Sequence, residues 1–329
     1  MDIEFSTIEG GSVELHDARR KLRRRVELEP FEIGVYAVTQ SQLGELLGEA
    51  TDDGTSHPER PATDVSWLRA IRFCNAASEW EGLDPAYSYD GEQVTWHVDS
   101  DGIRLPTESE WEFACRAGST TAQYGPLADV AWTSLDGVTS PQPVGGKHPN
   151  LNGLFDTLGN TWEWCWDHLD PARYDDYRVF RGGGYADDTW SVRASVRRGG
   201  APRMHHEDVG FRVARGGFDA VDAAQGWSAA ADRERDVGGA HPVRVDPSEL
   251  TGASRLPQAD VASARTASRQ TANWMTPVTM SVSRVVHRTI AAACHTSTRP
   301  FEMPLPASAA AVKCVGSSSG PRRLTPATP

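Results

Sequence analysis

The residue types able to hold a metal ion or move a proton fall in two stretches. In the turn-rich segment 149–164, Asp156 and Glu163 bring two carboxylates within eight residues, and Gly159 and Thr161 between them offer backbone carbonyls. Oxygen-only ligands from an irregular loop suit Ca²⁺ better than a transition metal. The same spacing is that of a capped turn with solvated acids, and on spacing alone that plainer reading is favoured. Further on, His205, His206, Glu207 and Asp208 are the only dense cluster of transition-metal ligand types. Side chains of adjacent residues diverge, so neighbouring histidines seldom grip one ion, and an exposed polar loop is the plainer account. Joined by Asp187 and Asp188, the histidines would instead make a His/carboxylate iron site.

The elements that must position these residues are short. Thr39 with Gln42 reads as a capping box opening a two-turn helix that Gly48 stops, with Val38 and Leu43 as its staple. A second helix starts at Asp64 or Ser66, carries Leu68, Ile71, Cys74, Ala77 and Trp80 on a buried stripe, and ends at Gly82. Pro106, Thr107 and Glu110 open a third, with Trp111 and Ala114 inward and Gly118 beyond its end. Cysteines 74, 115, 165, 294 and 314 form no CxxC pair, which points to reduced thiols in a cytoplasmic protein rather than a disulfide frame or zinc ribbon.

The 329 residues are not uniform. Nine of 11 tryptophans precede Gly217, and that part holds 36 acids against 21 bases, whereas the rest holds 9 against 12. An acidic globule repels a phosphate backbone, so no nucleic-acid partner is expected, and no apolar run long enough for a membrane span occurs. The Ala/Ser/Thr/Pro/Arg tail, 217–329, is expected to be disordered.

Four ordered blocks carry a resemblance: RLPTESEWE (104–112), PNLNGLFDTLGNTWEW (149–164), RGGGY (181–185) and GFRVA (210–214). With IEGGSVEL, PFEIGVYAVTQSQ, PATDVSW and AIRFCNAAS before them, the chain resembles the formylglycine-generating enzyme family, or sulfatase-modifying factors, over about residues 3–216. The resemblance implies a loop-rich α+β fold related to C-type lectins, with little regular secondary structure and bound calcium. One ion would take the side chains of Asp156 and Glu163 with the carbonyls of Gly159 and Thr161. A second would use Asp129 and Asp136 with the carbonyls of Val130 and Val138, on a shortened loop.

Active members oxidise a substrate cysteine with two cysteines, five apart, that follow the glycine-rich segment and bind Cu(I), an ion that requires soft thiolates. Here Tyr185 is followed by Ala186, Asp187, Asp188, Thr189, Trp190, Ser191 and Val192, with no cysteine. Copper chemistry is therefore not expected. The expected function is a calcium-stabilised accessory module, a pseudoenzyme candidate that binds a protein, peptide or small ligand. Its groove would display Asp187, Trp190, Arg197, His205 and His206, flanked by Arg193, Arg198 and Arg203. The alternative is an oxygen-dependent oxidoreductase acting on a thiol or peptide, the only reading that calls for iron. Relatives that make carbon–sulfur bonds build their iron site with a separate helical domain, which is not expected here.

Overall fold

Helix caps set the first three helices. In α1 (Gln40–Leu47) the Thr39 hydroxyl accepts from the Gln42 N–H at 3.3 Å, while the Gln42 side chain accepts from the Thr39 N–H at 2.9 Å. Ser66 caps α2 (Trp67–Glu81), and Thr107 with Glu110 caps α3 (Glu108–Arg116). Gly48 and Gly82 close α1 and α2 in the left-handed region; α3 is capped by Ala117 with φ 45°, and Gly118 lies beyond its end as expected. The expected stripe on α2 is corrected at its end. Ile71, Cys74 and Ala77 are buried, yet Trp80 is 56% exposed. Three residues turn a helix by about 300°, so each three-residue step drifts about 60° off the buried face. Trp67, Ala70 and Phe73 complete the inward set.

The computed structural model describes residues 1–17, 21–48, 57–218 and 223–237. Its strands are β1 (Phe5–Ile8), β2 (Gly11–Asp17), β3 (Leu22–Leu28), β4 (Phe31–Gly34), β5 (Tyr87–Asp90), β6 (Gln93–Trp96), β7 (Ile103–Arg104), β8 (Trp162–His168), β9 (Arg178–Arg181), β10 (Arg197–Gly200), β11 (Val209–Phe211) and β12 (Ala214–Arg215). One sheet runs β1-β4-β12-β7, another β10-β9-β8-β11, and β2-β3 and β5-β6 are hairpins. Between α3 and β8 stand only the single-turn α4 (Leu127–Val130) and a 3₁₀ turn, Ser134–Asp136. The fold is α+β with little regular secondary structure, as expected.

β8 is the strand that organises the rest, because it is buried on both faces. Alternation sends Trp162, Trp164 and Trp166 into the main core with Trp67, Phe180 and Phe211, and leaves Glu163, Cys165 and Asp167 on the opposite face. Burying one tryptophan removes roughly 150–250 Å² from water, about 4–6 kcal/mol of transfer free energy before entropy is subtracted. Three in alternate positions make this strand hard to displace.

Packing against the core continues past residue 216. Beyond it, Ala224 and Gln225 are buried and Trp227 packs on Trp96 and Trp166 with ring centroids 5.6 and 5.5 Å away. Gln225 is tied at both ends, donating to the Glu29 carbonyl at 2.7 Å and accepting from the Glu29 N–H at 2.9 Å. A single-turn α5 (Pro171–Tyr174) precedes β9, and α6 (Ala229–Val237) follows this strap. The remainder of the tail expectation, 238–329, lies outside the described residues, as do Cys294 and Cys314. No helix among the described residues is long and apolar enough to cross a membrane.

Candidate functional site

The two carboxylates that opened the sequence reading sit in unlike surroundings. Glu163 is buried on β8 and accepts three N–H groups: Nε and Nη2 of Arg212, each at 2.8 Å, and Trp111 Nε1 at 2.6 Å. Two of these meet Oε2 and one meets Oε1, so a carboxylate with about four acceptor positions keeps one open on Oε1. Asp156 is buried with φ 54°; its Oδ2 accepts from the Gly145 N–H at 2.7 Å and its Oδ1 has no partner. Burial pushes the Asp156 carboxyl up to about 6, against the pull of the Gly145 N–H and Arg212. Gly159 is obligatory: its φ is 74° and a Cβ would lie 2.3 Å from the Trp132 carbonyl oxygen. An orphaned, buried carboxylate oxygen on a tightly folded loop fits a hard cation.

The second oxygen set is engaged within the chain. Asp136 caps the 3₁₀ turn through Thr133 and accepts from Lys147 Nζ at 2.7 Å, and Lys147 also donates to the Ala128 carbonyl at 2.7 Å. That ammonium stands 4.2 Å from the Trp132 ring centroid. The Asp129 side chain is exposed, and the Val130 carbonyl accepts from the Tyr124 hydroxyl at 3.3 Å. A resident lysine charge thus takes the Asp136 carboxylate that Asp129, Val130 and Val138 were to share with calcium.

The groove candidates separate. Asp187 is held by Trp162 Nε1 at 2.7 Å and the Gly184 N–H at 2.8 Å, and Arg198 lies 3.3 Å from its other oxygen. The Arg198 guanidinium is 4.7 Å from the Trp162 ring and 5.9 Å from that of Trp190, which is 59% exposed. Arg197 does not reach this face. Adjacent strand residues point to opposite sides of a sheet, and Arg197 forks inward onto Glu108 at 2.6 and 2.7 Å. The histidines also part. His206 bonds Asp208, which raises its pKa, whereas His205 Nδ1 donates to the Asp64 carbonyl at 2.9 Å. No three His, Cys, Asp or Glu side chains gather as a metal cluster among the described residues, so the His/carboxylate iron set is not assembled.

The described thiols are all buried and unpaired. Burial raises the pKa of each, that of Cys115 to about 12. Cys115 lies in α3 and Cys165 in β8, in one core cluster, while Cys74 belongs to another. Neutral core thiols of this kind are poor ligands for Cu(I).

A family profile described as the sulfatase-modifying factor enzyme 1-like domain matches residues 3–216. The chain belongs to the sulfatase-modifying factor family. Relatives include the chaperone protein LppX of Paenibacillus barcinonensis, 30% identical over 58% of this chain and 82% of that protein. The formylglycine-generating enzyme of Streptomyces coelicolor is 30% identical over 50% of this chain and 55% of its own length. The inactive C-alpha-formylglycine-generating enzyme 2 of Mus musculus is 35% identical over 47% and 49%. The chain thus spans about half the length of these last two. Among solved structures, Treponema denticola variable protein 1 superposes with a TM-score of 0.57 at 26% identity, covering 64% of this chain and 94% of that one. CarF gives 0.54 at 26%, covering 65% and 98%.

The sulfatase-modifying factor motifs prove to be mutual partners. Arg104 forks onto Glu110 with two bonds of 2.8 Å. Arg181 joins Glu108 and Glu112, and Arg212 joins Glu163. All seven side chains are buried. Sequence reasoning missed this lattice, although arginines flanked by apolar residues, as in Phe180-Arg181 and Phe211-Arg212-Val213, carry its signal.

Proposed function

We propose that this protein is a sulfatase-modifying-factor accessory module that binds a partner protein or peptide through the face of Asp187, Trp190, Arg198 and His206, and that calcium stiffens it. One observation carries the reading. The glycine-rich turn after β9 leads to Asp187, locked by Trp162 and Gly184, where the active enzymes of the family need thiolates. Beside it an exposed Trp190 and an arginine stacked between two tryptophans form the type of amphipathic surface that anchors interfaces. The relative named as a chaperone and the one named as inactive both accord with an accessory role. Buried unpaired thiols suit the cytoplasm as its compartment.

Calcium would be held by Asp156, the Thr161 carbonyl, the open position on Glu163 and the second lone pair of the Gly159 carbonyl, whose first accepts the Thr161 N–H at 2.7 Å. When bound it supplies a cross-link between loops and neutralises the buried Asp156 charge. Removal of calcium with a chelator lowers the thermal midpoint on this account, and Asp156→Ala abolishes that response. An unchanged midpoint in both would defeat the calcium claim.

The binding claim is tested by capture from cell extract with the full chain as bait. A protein retained by the wild type and lost from both Trp190→Ala and Arg198→Gln is the expected result. Equal retention by all three would overturn the assignment of this face.

A further inference from the structure

The strap beyond the family domain is held as a peptide ligand is held. Residues 223–227 belong to no sheet, and their bonds run to a slot built from β3, the turn after it and the start of α3. Gln225 carries most of the recognition: its buried side chain exchanges two hydrogen bonds with the Glu29 backbone, as an adjoining strand would. The Thr107 hydroxyl donates to the Gln225 carbonyl at 3.0 Å, and Arg24 Nη1 donates to the Gly226 carbonyl at 2.7 Å. Only glycine fits next, since at Gly226 φ is 89° and a Cβ would lie 2.6 Å from Ser109 Oγ and 2.8 Å from Val26 Cγ1. Trp227 then sets its ring against Trp96 and Trp166. A carboxamide, a bare backbone and an aromatic ring are thus read at three consecutive positions.

The slot residues, from Arg24 to Trp166, all lie within the stretch 3–216 that the family profile matches, and the strap lies beyond it. The fastening is of a kind that can let go. Gln225 sits at φ 45°, a strained conformation for a residue with a side chain, and such strain gathers at ligand clamps and switches. Trp227 is half-buried and Arg24 and Glu29 are exposed, so water reaches the rim of the slot. The buried Ser109 Oγ has no partner, so the strap leaves one donor of the slot unused. Releasing the strap unpairs no strand. A ligand tethered to its own site competes at an effective concentration on the order of millimolar, so a free segment of the same type meets a site closed until the strap yields.

We infer that this slot is a peptide-binding site for a Gln-Gly-Trp segment of a partner protein, and that the chain's own strap is its built-in competitor. The slot shares no residue with the face of Asp187, so its test stands apart from that reading. The probe is a fluorescein-labelled peptide of residues 223–237, which includes α6 because Asp232 Oδ2 lies 3.4 Å from His168 Nδ1. It is titrated with the full chain carrying Gln225→Ala and Trp227→Ala, and with the wild type, and followed by anisotropy. The double variant is expected to bind saturably and at least about tenfold more tightly than the wild type, whose strap competes. Adding Arg24→Gln to the double variant, at an exposed position, weakens binding several-fold, and a peptide with alanine at the Gln225 and Trp227 positions does not bind. Where the double variant gives no cooperative melt, Gln225→Ala alone is read by the same criteria. Absence of saturable binding to a folded strap variant, equal affinity in variant and wild type, or equal affinity for the alanine peptide overturns the inference.

Discussion

The lattice beneath α3 and the face around Asp187 are built from similar residue types and behave oppositely. In the lattice, Arg104, Arg181 and Arg212 are buried with every guanidinium matched to a carboxylate, and the acids Glu108, Glu110 and Glu112 of one short helix supply most of the partners. On the face, Trp190 and Asp188 are open to solvent, and Arg198 is only part-buried. Buried ion pairs are costly to desolvate and tolerate no unpaired member, so they fix residue identity. An exposed face carries no such constraint. The motifs that identify the family therefore specify its frame, and the chemistry performed on that frame is free to be lost or replaced.

Breaking the frame has the largest expected effect. Arg181→Met removes the buried guanidinium that Glu108 and Glu112 share, leaving Glu108 with Arg197 and Glu112 with Arg116, and is expected to cost about 3 kcal/mol, which is roughly 10 °C in midpoint for a domain of this size. A drop of only a degree or two by calorimetry would show the lattice to be dispensable. Next comes the strap: Trp227→Ala removes its packing on Trp96 and Trp166 and is expected to cost about 2–3 kcal/mol, below the range for a fully buried tryptophan. Limited proteolysis checks it, with Trp227 retained in the wild-type core and cleavage near 216 accelerated in the variant.

Asp167 sharpens the comparison from inside the frame. Its Oδ2 accepts from the Glu108 N–H at 2.7 Å, and burial together with the Glu108 charge pushes its pKa up to about 6. Because the folded value exceeds the unfolded one of about 3.9, the native state penalises the ionised form, and the penalty grows as pH rises from about 4 to about 6. Asp167→Asn keeps the acceptor and removes the charge. It is expected to add about 1–2 kcal/mol at pH 7, a gain that shrinks toward pH 4 in urea titrations at each pH. Glu108, held low by Arg197 and Arg181, works in the opposite sense, so the difference between variant and wild type is the quantity to follow. The smallest effect belongs to the face: Trp190→Ala is expected to leave stability within about 0.5 kcal/mol while abolishing partner capture. A midpoint loss as large as that of Trp227→Ala would place Trp190 in the frame.

Much of this was legible in the sequence. Thr39 with Gln42, Ser66, and Thr107 with Glu110 announce their helices because caps act within four residues. The ordered blocks point to the family and hence the α+β fold. The direction of Arg197 was not legible from composition: its register in β10 decides whether it or Arg198 faces the groove, and register is a long-range property. The same holds for Lys147 at Asp136, eleven residues away in sequence, and for the strap, whose aromatic anchor is a single tryptophan in a polar stretch. Charged residues that pair only after folding look solvated until the partner is known.

The central claim is that this frame is kept without the redox chemistry of the active enzymes. Metal analysis of the full chain, purified and dialysed without chelator, tests it most directly. One calcium per chain with neither copper nor iron is the result predicted; copper or iron retained at one equivalent would contradict it.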